Sequence, residues 1–138
     1  MNKKIFNFFE IAAKTATSKS DGRSFLLGAI GIRKDGTMVR SLNSPTQCPE
    51  RQVHAECKLC KKLDFGATVY VARVRLDNFQ FGLSRPCFSC QKIMRHKGVK
   101  KAYYTISPTE FGVLNFIRNS ETIFIKSIEM KLDISNFK

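Results

Sequence analysis

Acidic residues are scarce in this chain: 11 Asp and Glu stand against 24 Lys and Arg, a formal charge of +13. A polyanionic partner follows naturally from such an excess, although a solvated basic surface would give the same count. Tryptophan is absent, but 12 Phe and a hydrophobic content of 43% supply a core and exclude a disordered chain. No apolar run approaches the ~20 residues that span a bilayer, so no membrane association is expected. The opening stretch MNKKIFNFFEIAAK begins like a signal peptide. Asn7 and Glu10 interrupt its apolar segment and no clean cleavage site follows, so a cytoplasmic protein is expected. Repeats, low-complexity tracts and linkers are lacking, and residues 1–138 are read as a single domain.

The five cysteines, Cys48, Cys57, Cys60, Cys87 and Cys90, are odd in number and include two C-x-x-C pairs. That pattern does not suit a secreted disulfide framework; in a reducing compartment metal binding is the better use of it. The basic excess is uneven. From Lys58 to Lys101, eleven Lys and Arg oppose Asp64 and Asp77, a local +9 in the segment that holds the second pair.

Apolar residues at Ile5, Phe8, Phe9, Ala12 and Ala16 have helical spacing and predict an opening helix over 3–18. FLLGAIGI and TMVRSL flank Arg33-Lys34-Asp35-Gly36 and predict a β-hairpin. His54 to about Leu63 reads as a helix, and ATVYVARVRL as a strand whose Val69 and Val71 oppose Tyr70 and Ala72. Asp77 to Gly82 reads as a loop. Pro86 is expected to open a further helix, which runs to about His96 and stops at Gly98. AYYTI is the next strand. FGVLNFI reads as a strand returning beside it or as the start of a helix, and Ile128 to Ile134 as a strand or a final helix. Helix-connected strands should pair in parallel. The expected architecture is a three-layer α/β/α fold around a mixed five-stranded sheet.

The residues richest in chemistry are His54-Ala55-Glu56 and Pro86-Cys87-Phe88-Ser89-Cys90. One histidine and two cysteines supply three zinc ligands and leave the fourth tetrahedral position for water, the layout of a catalytic site. Zinc brings the pKa of such a water to about 7. Glu56 is placed to take its proton and pass it on to a substrate. Cys87 and Cys90 are spaced i,i+3 at a predicted helix start, where they share a face and the helix dipole favours anionic ligands. A rival assignment joins Cys57, Cys60, Cys87 and Cys90 into a structural zinc site. Its 26-residue gap exceeds the ~15–20 usual for that pattern and contains a strand. Cys57 and Cys60 fall inside the His54 helix, where cysteine serves as a small buried hydrophobe.

From about residue 25 to 106, through FLLGAIGIRKDG, RSLN, HAE, PCFSC and VKKAYYT, the chain resembles the cytidine deaminase superfamily. The resemblance implies a cytidine deaminase-like fold, one catalytic zinc ion held by His54, Cys87 and Cys90, and Glu56 as proton shuttle. It also implies substrate contacts at Asn43, which ends the second strand eleven residues before His54, and around Ala55 and the residue before the motif proline. That last residue is Arg85, where many members carry Ser or Glu; it is read either as a phosphate contact or as a solvent-facing side chain.

The expected reaction is hydrolytic deamination of cytosine to uracil with release of ammonia. Single-stranded nucleic acid is the first substrate reading, from the local +9 and the aromatics Phe79, Phe81, Phe88, Tyr103 and Tyr104. A free nucleotide such as deoxycytidylate, or cytidine, is the second. Adenosine in RNA is a third, because the same chemistry attacks adenine. A non-catalytic zinc-stabilised nucleic-acid-binding module is the rival class, against which Glu56 argues. Oligomeric state is left open, a homo-oligomer included.

Overall fold

The computed structural model describes residues 3–17, 25–42, 59–60, 62–75, 80–125 and 128–133. The elements are α1 (Lys3–Thr17), β1 (Phe25–Ile32), β2 (Met38–Leu42), β3 (Thr68–Arg75), β4 (Phe81–Gly82), α2 (Phe88–Lys97), β5 (Lys101–Ser107), β6 (Glu110–Asn115), β7 (Ser120–Ile125) and β8 (Ile128–Asp133). Leu59 and Cys60 are helical. No described helix is long and apolar enough to cross a membrane.

The strands form one mixed sheet in the order β2-β1-β3-β5-β6-β7-β8, with β4 paired to the outer part of β3. The expected α/β class holds, but the five-stranded sheet does not: eight strands are present among the described residues. The additions are β4, where Phe81 and Gly82 pair with β3 inside the stretch read as a loop, and the strands after β5. FGVLNFI resolves as β6, antiparallel to β5, and β7 and β8 continue the meander. What stops β6 is a side chain. Asn115 Oδ1 accepts the N–H groups of Ile117 and Arg118 at 3.1 and 3.0 Å, offering the backbone a turn in place of further ladder. Asn119 completes the reversal in the left-handed region at φ 53°, which Asn tolerates better than most residues.

The hairpin between β1 and β2 turns where the sequence places it. Gly36 takes φ 91°, Arg33 N–H bonds Thr37 O at 2.8 Å, and Asp35 Oδ1 accepts Thr37 N–H at 2.9 Å. β1 is antiparallel to both β2 and β3, so β2 and β3 run the same way on either side of it. β3 and β5 pair in parallel, joined through α2.

Period-2 alternation puts each strand's apolar residues on two faces, and both are covered. On one face Ala29, Val69, Val71, Ala102, Tyr104 and Leu114 pack with Leu59, Cys60, Leu63 and Met94 of α2. On the other, Phe9 and Ala12 of α1 close over Ile30, Tyr70, Ala72 and Phe111. The helices therefore flank the sheet as three layers.

Candidate metal centre

Direct pairing of the parallel strands β3 and β5 ends at Val71 and Tyr104. Beyond that point β4 lies beside β3, and the segment after it bonds to β5. Ser84 N–H donates to Thr105 O at 2.9 Å. Its buried hydroxyl contacts Val71 O and Thr105 Oγ1, both at 2.8 Å, and accepts Thr105 N–H at 2.8 Å. Thr105 Oγ1 donates in turn to Gly82 O at 2.7 Å. A pair of hydroxyls thus replaces the missing ladder, so the segment leading to Cys87 is sewn to the carboxyl ends of two parallel strands. In open α/β sheets that is where ligands bind.

Pro86 was expected within the first helical turn; it lies just before it. Cys87 is extended (φ −65°, ψ 163°) and is the N-cap, its carbonyl accepting Gln91 N–H at 3.0 Å. The buried Gln91 also donates Nε2–H to Pro86 O at 2.9 Å, which folds the helix back onto the loop. Cys90 is then the third helical residue, fully buried, while Cys87 is exposed. Cys87 makes no side-chain capping bond, and the first turn holds no acidic residue. Both cysteines thus belong to the first turn of α2, where unbonded N–H groups and the positive end of the helix dipole favour anionic groups such as thiolates. At its other end α2 stops at Gly98 (φ 88°), with Gly98 N–H bonded to Arg95 O at 3.1 Å and Val99 N–H to Met94 O at 3.0 Å.

Cys60, Cys87 and Cys90 are thiols, not disulfides. Cys60 packs in the apolar core with Leu59, Leu63 and Met94, the place of a small hydrophobe. No group of three or more His, Cys, Asp and Glu able to hold a metal occurs among the described residues. His54, Ala55, Glu56 and Asn43 lie outside the described residues, as do Cys48, Cys57 and Phe79. The described part of the centre is thus a pair of soft sulfur donors one helical turn apart, a donor set that fits zinc.

The structure gives Arg85 a partner within the chain. Its Nε and Nη2 donate to the two carboxylate oxygens of Glu121 on β7, at 2.7 and 3.0 Å. The Tyr104 hydroxyl donates to the same carboxylate. Burial works to raise the Glu121 carboxyl, but the hydrogen bonds from Arg85 and Tyr104 and the Arg85 charge outweigh it and hold the group below its ordinary value. Bonding to Glu121 holds the Arg85 guanidinium above its own, while burial and the adjoining carboxylate raise the Tyr104 phenol. Neither Glu121 nor Ser84 stood out in the sequence. The one available signal for Glu121 was an acid in an apolar strand of a basic chain.

The other stacking candidates divide. Tyr103 stacks on Tyr70 at 4.7 Å on the α1 face, where burial pushes the Tyr70 hydroxyl up to about 12, and Phe81 packs against Phe6 and Phe9. Tyr104 is buried on the opposite face. Phe88, between the two cysteines, is 44% exposed with Lys92 Nζ 5.5 Å from its ring centroid. Of the basic cluster, Arg95 lies over the Phe116 ring and donates to Asn119. Lys97 ends α2, roughly 15 Å from Cys87 at the rise of an α-helix, and Lys100 and Lys101 follow beyond that far end.

The sequence family described as the cytidine and deoxycytidylate deaminase zinc-binding region matches residues 2–106. Among solved structures, the chain is similar to cytidine deaminase from Burkholderia pseudomallei, with 14% identity and a TM-score of 0.51 over 99% of this chain and 96% of that one, a likeness of fold. No curated protein matches it. With more than half its length inside the matched region and its Pro-Cys-x-x-Cys motif at the head of a helix beside parallel strands, the chain belongs to the cytidine and deoxycytidylate deaminase family.

Proposed function

We propose that residues 1–138 form a single zinc-dependent deaminase domain that hydrolyses cytosine to uracil and ammonia, on single-stranded nucleic acid. The observation that carries the reading is the placing of Cys87 and Cys90 at the N-terminus of α2, within the segment matched to a deaminase zinc-binding region. His54, Cys87 and Cys90 hold one ion per chain. When bound, the ion makes hydroxide available near neutral pH.

The rest of the chemistry belongs to the chain. Glu56 takes a proton from water and delivers it to the cytosine ring nitrogen as oxygen adds to the amine-bearing carbon. It then moves the proton of the new hydroxyl to the amine as the C–N bond breaks, the carbonyl forms and ammonia leaves. The α2 N-terminus holds the two cysteines in their anionic form. Asn43 and the backbone around Ala55 hold the nucleoside. Phe88, exposed beside Cys87, offers a face on which a flanking base can stack, with Lys92 close enough to meet its phosphate. Deamination of free cytidine or deoxycytidylate is the second reading, favoured by the family's description. The bidentate bond to Glu121 tells against Arg85 as a dedicated phosphate grip in that reading.

The test is to incubate zinc-loaded protein separately with cytidine, deoxycytidylate, single-stranded DNA and RNA. Conversion of cytosine in an oligonucleotide, abolished by Glu56→Ala, is expected. Turnover of deoxycytidylate without oligonucleotide conversion would decide for the free-nucleotide enzyme, and no conversion of any substrate would overturn the deaminase reading.

A further inference from the structure

We infer that Glu121 is a positioning residue for the metal centre: through Arg85 it fixes the loop that presents Cys87, so that a strand outside the matched family region sets the ligand geometry. The inference rests on the zinc reading above.

Residues 84–87 are held from three directions. Ser84 is tied to β3 and β5 by its hydroxyl, and Pro86, fully buried, is tied to α2 through Gln91. Between them Arg85 turns away to β7 and makes a two-pronged bond that only one orientation of guanidinium and carboxylate satisfies. Proline has one free backbone torsion, so a rotation at Arg85 passes almost directly into Cys87. Glu121 cannot give way easily: it is buried, its ladder partner is Leu114, and the Tyr104 hydroxyl holds one of its oxygens. Cys87, by contrast, is exposed and has no capping bond of its own. Its place is therefore set by its neighbours. Glu121 lies beyond residue 106, where the match to the family ends. Partners that orient metal ligands in this way are typically worth about 10–100-fold in metal affinity or activity.

The experiment replaces zinc with cobalt(II), whose visible spectrum reports thiolate number and geometry, and measures zinc affinity by chelator competition. The variants are Glu121→Gln, Arg85→Lys and the double variant Arg85→Met/Glu121→Gln, with Cys87→Ser as control. The double variant removes both charges, so it avoids a lone buried ion and should recover thermal stability. The expected result is an altered cobalt spectrum and a zinc affinity lowered about 10-fold in all three, the double variant included despite its stability. Recovery of affinity together with stability would make the contact merely structural and overturn the inference. If Glu121→Gln fails to fold, Arg85→Lys asks the same question from the exposed end. A wild-type spectrum that Cys87→Ser leaves unchanged would instead remove the metal reading, and this inference with it; a normal Cys87→Ser loss beside unaltered Glu121 and Arg85 variants would overturn the inference alone.

Discussion

The Tyr104 ring lies over Gly112, its partner across the β5–β6 ladder, in the space where a β-carbon would sit. The missing side chain lets the phenol cross β6 and reach Glu121 on β7. Gly112→Ala should therefore push the ring out of place. The expected cost is about 1–3 kcal/mol, the usual range for overpacking a filled core, measured by urea unfolding. A variant as stable as the parent would show that the ring moves freely and that its contact with Glu121 is dispensable.

Acid should weaken the same contact in a definite direction. Glu121 is held below its ordinary value of 4.5, so between the folded and unfolded values the unfolded chain binds more protons. The stabilisation is complete above the unfolded value and is lost as pH falls through the lower folded one. Denaturant titrations of the parent and Glu121→Gln across that acid window should converge as pH falls. Parallel curves would mean that the carboxylate is not depressed.

Ser84→Ala should leave the Thr105 N–H, fully buried, without its 2.8 Å acceptor. Stranding a buried donor costs about 1–3 kcal/mol. Because the same hydroxyl fastens the segment before Cys87, thermal stability and zinc retention should fall together. Loss of stability with unchanged zinc affinity would confine Ser84 to a packing role.

Much of this was legible in the sequence, because local patterns carried it. Alternation in ATVYVARVRL placed Val69 and Val71 opposite Tyr70 and Ala72, and the Asp35-Gly36 pair placed the first turn. The cysteine pair was legible as a helix start, although Pro86 proved to precede the helix rather than open it. What the sequence hid is long-range. Residue 85 pairs with residue 121, and Ser84 with Thr105; no short-range period encodes either contact. The strands after β5 were ambiguous because FGVLNFI, apolar but for Asn115, is too short for its period to separate strand from helix, and the turn made by Asn115 decides in favour of a strand.

If a single strand is the substrate, Phe88→Ala should weaken oligonucleotide binding by about 1–3 kcal/mol, the worth of one base stacked on an aromatic ring. Zinc content should not change. Affinity for the oligonucleotide should fall with salt at a slope of about −0.7 per phosphate contacted, and Lys92→Ala should flatten it. Equal binding by Phe88→Ala and the parent would exclude this ring as a base platform.

The most direct test of the metal centre is elemental analysis of the purified protein beside Cys87→Ser, Cys90→Ser and Cys60→Ser. The expected result is one zinc ion per chain in the parent and in Cys60→Ser, whose sulfur is a core group, and loss of the ion in Cys87→Ser and Cys90→Ser. No zinc in the parent, or a zinc ion that depends on Cys60 and survives Cys87→Ser, would contradict the assignment.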